Sequence, residues 1–138
     1  MSTETNKRLA DRVWEEVWRR GDLRRIDDLF TPDFVRHDPG RELRGAEQNR
    51  QFISSLRAAF PDLRFTTDDL IAEGDKVVAR YHFQGTHLGD FQGTPPTRKR
   101  VTYTGILIYR CVDGKIAEQW TEFDLLSLLR QLGVAPHA

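Results

Sequence analysis

Paired cysteines, long apolar runs and an excess of charge of either sign are all missing from this sequence. The single cysteine, Cys111, excludes an internal disulfide and a metal site made of several cysteines. No apolar run approaches the roughly 20 residues of a membrane-spanning helix, and the first twenty residues lack the apolar stretch of a signal peptide. These absences predict a soluble, cytoplasmic protein.

The balance of charge argues against two further classes of partner. Lysine and arginine together number 21, aspartate and glutamate also number 21, and the formal net charge is zero. Proteins that bind nucleic acid or anionic membranes usually carry basic clusters, so we expect neither partner. Aromatic residues make up 10% of the 138 residues, which indicates one packed domain over 1–138 with an ordered core at about 9–133.

Helical periodicity dominates the first half of the chain. Apolar residues recur every three or four positions, and Gly21 and Pro61 stand where two of these segments end. A brief alternating segment, residues 34–37, predicts a strand that ends at Asp38-Pro39-Gly40. The predicted helices cover about 5–20, 23–30 and 46–60.

Beyond Pro61 the pattern changes to alternation, which predicts strands at about 63–72, 76–87, 100–112 and 115–123 and a closing helix at 125–132. Asp113-Gly114 is a strong hairpin signal between two of the strands. Helices followed by an antiparallel meander predict an α+β fold with the helices on one face of the sheet. A twisted sheet that curls around them leaves an apolar pocket open at one end.

Motifs that signal common chemistries are absent. The chain has no P-loop, dinucleotide fingerprint, Gly-x-Ser-x-Gly or His-Glu-x-x-His motif. Its histidines, His37, His82, His87 and His137, show no metal-ligand spacing, and Cys111 has the position of a buried, inert thiol. We therefore expect no metal and no cofactor, which leaves acid–base chemistry by aspartate and histidine.

Two residues are candidates for that chemistry, and each also has a structural interpretation. Asp124 directly precedes the closing helix. As the N-cap of that helix it would accept backbone N–H groups, which lower the pKa of its carboxyl. Buried in a pocket, it would have a raised pKa. His37 ends the brief strand, where it either donates a structural hydrogen bond or transfers protons near neutral pH. The sequence leaves both alternatives open.

Alternation also divides the strand at 76–87 into two faces. Tyr81 and Phe83 belong to an apolar set, while Arg80 and His82 belong to a polar set that either faces solvent or lines a pocket. The tryptophans Trp14, Trp18 and Trp120 are either core residues or an aromatic pocket wall.

Several phrases, in this order, resemble the SnoaL-like polyketide cyclases of the nuclear transport factor 2-like superfamily. They begin with Phe-Val-Arg-His at 34–37 and Ala-Ala-Phe-Pro-Asp-Leu at 58–63. The others lie at 74–80, 85–89, 93–97, 113–116, 120–124 and 131–133. The resemblance implies a conical α+β barrel, also called cystatin-like, in which a curved antiparallel sheet wraps around three helices from the N-terminal half. It also implies a deep apolar pocket and a homodimer.

Cyclases of this type close a ring of an aromatic polyketide by an intramolecular aldol reaction without a cofactor. The resemblance assigns the acid–base aspartate to Asp124, with Glu122 as the alternative register, and matches His37 to a histidine common in the family. A small apolar molecule is the implied partner. The predicted substrate-binding residues are Trp18, Phe34, Phe52, Leu56, Arg80, His82, Ile106 and Trp120.

Other activities of the superfamily fit less well or remain open. Limonene-epoxide hydrolases need an Asp-Arg-Asp constellation, whereas here Arg80 is present and Thr121 stands where the second aspartate falls. No matching tyrosine and aspartate pair supports ketosteroid isomerisation. A related enzyme that assists hydroxylation, and a binding protein that catalyses nothing, remain alternatives.

Overall fold

The computed structural model of the protein describes residues 2–134, so His137 lies outside the described residues. Ser2 caps the first helix by accepting the N–H of Thr5, and the helix continues into a π-helix that ends at Arg19, two residues before Gly21, whose φ is +70°. The helices are α1 (Thr3–Arg12), the π-helix (Val13–Arg19), a 3₁₀ turn (Leu23–Arg25), α2 (Ile26–Leu29), α3 (Gly45–Ala59) and α4 (Leu125–Leu132). No described helix is both long and apolar enough to cross a membrane.

Six strands form one curved sheet in the order β2-β1-β6-β5-β4-β3. The expected wholly antiparallel arrangement is wrong in one place, because β1 pairs with β6 in parallel. Strand β2 was not predicted; it returns from β1 across a turn in which Gly40 has a φ of +78°. The strands are β1 (Phe30–Asp38), β2 (Arg41–Arg44), β3 (Arg64–Glu73), β4 (Lys76–Thr86), β5 (Arg100–Val112) and β6 (Lys115–Phe123).

The helices cover the inner face of this sheet, which confirms the predicted α+β class. Aromatic rings make up much of the interface between the two layers. The ring of Phe83 is fully buried, with its centroid 4.6 Å from that of Tyr103, 5.1 Å from Phe65 and 5.3 Å from Phe60. Trp14 also packs on Phe65, at 4.9 Å. Residues on this face alternate with residues on the outer face along each strand.

Candidate active site

A cavity of about 910 Å³ lies between the inner face of the sheet and the helices. Its volume falls in the range of small-molecule sites, which is roughly 300 to 1,000 Å³. Aromatic side chains form most of its walls, and polar side chains from β1, β5 and β6 also face it. The aromatic residues of the lining are Trp14, Trp18, Phe52, Phe65, Tyr81, Phe91, Tyr103, Tyr109 and Phe123.

A charged pair from β1, Arg36 and Asp38, faces the cavity. Their side chains are only 4% and 6% exposed, and Arg36 Nη1 lies 3.9 Å from Asp38 Oδ1. That separation is too long for a hydrogen bond. Within residues 2–134, neither Arg36 Nε nor Asp38 Oδ1 has a hydrogen-bond partner. The pair therefore places charge beside the cavity, and each side chain also has one buried atom with unused hydrogen-bonding capacity.

The surroundings of Arg36 keep it charged and in place. Burial lowers the pKa of Arg36, and the negative charge of Asp38 opposes that shift. An arginine side chain remains protonated at neutral pH even in such a site. Arg36 Nη2 also donates to Asn49 Oδ1 of α3, at 3.4 Å. The cavity thus contains a fixed cation next to a carboxylate.

Neutral polar groups surround this pair. The parallel pairing of β1 with β6 sets Gln119 beside Arg36, and Gln119 donates from Nε2 to Thr121 Oγ1 at 2.8 Å. Gln119 Oε1 is buried and has no partner among the described residues. Burial raises the pKa of Tyr81 and of Tyr109, so both remain neutral hydroxyl donors.

A glycine on β5 leaves room for one of these hydroxyls. A Cβ atom placed on Gly105 would lie 2.5 Å from the hydroxyl oxygen of Tyr81. Any larger residue at position 105 would therefore displace the Tyr81 ring from its place against the cavity.

The arrangement can perform acid–base chemistry at carbon. A carboxylate with an unbonded oxygen can accept a proton, and an adjacent guanidinium can stabilise negative charge that develops on a bound oxygen. Within residues 2–134, no cluster of three or more histidine, cysteine, aspartate or glutamate side chains is placed to hold a metal ion. Burial raises the pKa of Cys111 to about 11, so that thiol stays protonated.

The structure brings three of the predicted substrate-binding residues to the cavity and leaves one out. Trp18, Phe52 and Leu56 all line it. Phe34 is fully buried and packs against Phe30, with ring centroids 4.7 Å apart, and it does not line the cavity. It is a core residue because it lies deeper on β1 than Arg36.

Four other predicted substrate-binding residues lie on the outer face of the sheet, where they cannot contact a ligand in the cavity. Arg80 and His82 form ion pairs there with Asp69 and Asp68. Ile106 is 49% exposed, and Trp120 faces outward beside Ile108 on the same face. The predicted pocket positions of Arg80, His82, Ile106 and Trp120 are therefore wrong. Tyr81, Gly105 and Leu107, their inward-facing neighbours in the strands, belong to the cavity side.

His37 is also on the outer face, because it alternates with Arg36 and Asp38. Its Nε2 lies 2.6 Å from a carboxylate oxygen of Glu118, and its ring stacks on Trp120 at 5.6 Å. The predicted role of His37 at the cavity is therefore not what the structure shows. The sequence pattern that could have identified Asp38 is the alternation along β1, which places Phe34, Arg36 and Asp38 on the inner face of the sheet.

Asp124 adopts the structural alternative left open for it. Its Oδ1 accepts the N–H of Ser127 at 3.0 Å, so it is the N-cap of α4. The residue is exposed and does not line the cavity. Glu122, the alternative register, is exposed on the outer face. The cavity position predicted for Asp124 is therefore wrong, and Asp38, Glu42 and Asp90 are the acidic residues that line the cavity.

The Glu118 contacts on the outer face predict a pH effect on stability. Hydrogen bonds, first from His37 and then from Arg110, lower the pKa of Glu118 below the ordinary value of a glutamate. A lowered folded-state pKa stabilises the fold above the unfolded-state pKa, and that contribution is lost as pH falls through the folded value. We expect Glu118→Gln to flatten the decline of Tm as the pH falls below the ordinary pKa of a glutamate.

Thermal unfolding monitored by circular dichroism measures this effect. Glu122→Gln is the control, since Glu122 is exposed on the same strand and has no ion pair among the described residues. If Glu118→Gln and the native chain declined in parallel, the proposed contribution of Glu118 would be absent.

Together these features define an α+β protein of the nuclear transport factor 2-like type with a cavity on the inner face of its sheet. A family model described as SnoaL-like polyketide cyclase matches residues 8–132. The chain therefore belongs to the SnoaL-like polyketide cyclase family, as its sequence phrases predicted.

Individual relatives are similar to the chain over most of its length. The aklanonic acid methyl ester cyclase DauD of Streptomyces sp. (strain C5) is 32% identical to the chain over 109 residues, or 78% of the chain. The match covers 66% of DauD, just under two thirds of that protein. The nogalonic acid methyl ester cyclase of Streptomyces nogalater is 30% identical over 78% of this chain and 83% of its own length. The crystal structure of AclR, a proposed hydroxylase of Streptomyces galilaeus, superposes with a TM-score of 0.87 at 32% identity, over 99% of this chain and 86% of AclR.

Proposed function

We propose that this protein is an enzyme that closes a ring in a small, apolar, polyketide-like substrate by an intramolecular aldol reaction without a cofactor. The observation that carries the proposal is the Arg36–Asp38 pair, which faces a 910 Å³ cavity and has an unbonded carboxylate oxygen. The named relatives that cyclise polyketide esters support the same class of reaction.

Asp38 is the acid–base group of this mechanism. Its carboxylate removes a proton from a carbon between two carbonyl groups, and the resulting enolate carbon attacks a third carbonyl of the same molecule. One carbon–carbon bond forms, and the proton returns from Asp38 to the new alkoxide oxygen. The product is an isomer of the substrate, so no oxidant, reductant or second substrate takes part.

Arg36 stabilises the charge that moves during these steps. Its guanidinium belongs to the cavity lining, where its positive charge stabilises the enolate oxygen. A charge-assisted donor that is already fixed before the reaction stabilises a developing oxyanion more than water does. The hydroxyls of Tyr81 and Tyr109 offer further neutral donors on the same side of the cavity.

The aromatic walls supply the other part of the rate. A carbon flanked by two carbonyls is already fairly acidic, so ring closure depends largely on holding the chain in a folded conformation. Orientation of this kind can contribute about 7 to 11 kcal/mol in favourable cases. Trp14, Trp18 and Phe65 form a wall suited to a flat polycyclic substrate.

Conversion of a synthetic model substrate tests the proposal. The substrate is a tricyclic anthraquinone that carries a 1,3-dicarbonyl side chain and a ketone, supplied both as the carboxylic acid and as its methyl ester. We expect conversion to a ring-closed isomer of unchanged mass, followed by chromatography and proton NMR. Binding of this compound without conversion would favour the binding-protein alternative, and a product heavier by one oxygen would favour the hydroxylase alternative.

The proposal extends to a cytoplasmic homodimer in which the outer faces of two sheets meet. A row of side chains, Ile71, Val78, Ile108, Trp120 and His37, crosses five strands of that face in register. Pairs such as Arg80 with Asp69 supply both signs of charge beside the row. A face with apolar residues and balanced charges can contact a second copy of itself about a two-fold axis.

A charge placed on this face tests the dimer. We expect Ile106→Arg to convert the dimer to a monomer, because an unpaired guanidinium is costly to bury in an apolar contact. Light scattering after size-exclusion chromatography measures the mass. Leu126→Arg is the control, since Leu126 is 48% exposed on α4, away from the sheet face. A dimer that persists in Ile106→Arg and not in Leu126→Arg would place the interface elsewhere.

A further inference from the structure

A second arginine, Arg41, lines the cavity at the start of β2. Its guanidinium carbon lies 4.8 Å from the centre of the Phe52 ring, and that of Arg36 lies 4.6 Å from the same ring. Attraction between a cation and an aromatic ring holds a guanidinium in such a position. Phe52 therefore keeps two positive groups close together at the cavity surface.

Asp38 is the cross-strand partner of Arg41, but only Arg36 lies within ion-pair distance of its carboxylate. Arg36 lies beside Asp38, but within residues 2–134 no carboxylate oxygen lies within 4.0 Å of the Arg41 guanidinium. Glu42, the next residue along the chain, is engaged by His37 and Arg44.

Two carboxylates besides Asp38 belong to the cavity lining, Glu42 and Asp90. Asp90 accepts the N–H of Gly93 at 3.1 Å and forms no ion pair among the described residues. The charge of Arg41 is thus available to a molecule in the cavity.

We propose that Arg41 binds an ionised carboxylate of the ligand, so that the substrate is a polycyclic aromatic acid in preference to the corresponding ester. This inference rests on the proposed function only in taking the cavity as the substrate site. The planar guanidinium of arginine matches a carboxylate through two parallel hydrogen bonds. With the carboxylate at Arg41, the aromatic part of the ligand lies against Trp18 and Phe65, leaving Arg36 and Asp38 to the reacting atoms.

A matched pair of probes tests this site without any turnover. The probes are anthraquinone-2-carboxylate and its methyl ester, which differ in charge and share the ring system. Quenching of Trp14 and Trp18 fluorescence reports binding, since both rings line the cavity. We expect the native chain to bind the acid about tenfold more tightly than the ester, allowing for the exposure of Arg41. The preference shrinks in high salt.

Substitutions at Arg41 separate a specific site from general attraction. In Arg41→Gln we expect the acid and ester to bind within about twofold of each other, with affinity for the ester unchanged. Arg41→Lys keeps part of the preference, because it keeps the charge and loses the planar fork. Arg44→Gln is the control: Arg44 is an exposed arginine on the same strand that does not line the cavity.

Three results would overturn the inference: the native chain binding the ester as tightly as the acid, no binding of the acid, or equal loss of preference in Arg44→Gln and Arg41→Gln.

Failure of the Arg41 site is distinct from failure of the proposed function. Asp38-dependent ring closure without a preference for the acid would reject the Arg41 site alone. A preference for the acid without ring closure would reject the reaction and retain the site.

Discussion

Replacing Asp38 by asparagine is expected to lower the turnover of the model substrate by about 10² to 10⁴-fold, which is the usual contribution of a general base. Asparagine has the shape of aspartate but cannot accept the proton. Binding of the substrate, measured by tryptophan fluorescence, should persist because the aromatic walls are unchanged. Steady-state kinetics on the purified variant measures the loss.

A second variant keeps this prediction testable if Asp38→Asn destabilises the fold by leaving the buried Arg36 without its counter-charge. Asp38→Glu retains the charge but moves the carboxylate by one methylene group. Misplacement by about 1 Å can itself cost on the order of 10²-fold in rate. We therefore expect low turnover in a chain whose unfolding midpoint in urea stays close to the native value.

Two further substitutions of aspartate by asparagine show whether the loss of turnover is specific to position 38 or follows from replacing any aspartate. Asp113→Asn is the control, because Asp113 lies in an exposed turn at a φ of +49°, which asparagine also tolerates. Asp124→Asn should retain native turnover, because asparagine is as good an N-cap as aspartate. Loss of turnover in Asp124→Asn, with native rates in Asp38→Asn, would return the catalytic role to Asp124.

Replacing Phe83 by alanine is expected to lower the free energy of unfolding by about 3 to 5 kcal/mol, the usual cost of removing a large buried aromatic side chain. Phe83 is fully buried and contacts Phe60, Phe65 and Tyr103. The cavity left behind would also loosen Phe65 and Tyr103, which line the ligand cavity. Urea unfolding measures the loss, and weaker binding of the anthraquinone probes should accompany it.

Val112→Ala supplies the comparison for that result. Val112 is 39% exposed at the end of β5, so its replacement should cost less than about 1 kcal/mol. Similar losses in Val112→Ala and Phe83→Ala would mean that the aromatic cluster adds little to stability beyond strand propensity.

Local chemistry made most of the elements predictable. Strands β4, β5 and β6 lie within a residue or two of their expected positions, because Gly74 and Asp113-Gly114 mark their turns and their apolar residues alternate. The closing helix likewise begins after Asp124 and ends at Gly133, whose φ is +79°. Such signals lie within a few residues of the structure that they specify.

Strands β1 and β2 were less predictable, and the active-site assignment depended on them. The Asp38-Pro39-Gly40 segment signals a turn, which is present, but β1 extends through Asp38 and β2 follows directly. The parallel pairing of β1 with β6 joins residues about 80 positions apart, such as His37 and Glu118. No local pattern encodes a contact of that separation.

The sequence alone determined the α+β class, the order of nearly all the elements and the family, since periodicity, turn residues and short phrases are local properties. Only the tertiary structure decided that Asp38 and Arg36 face the cavity while His37 and Trp120 face outward. The physical reason is that successive side chains on a strand point to opposite faces. Which face encloses a cavity depends on where the helices pack.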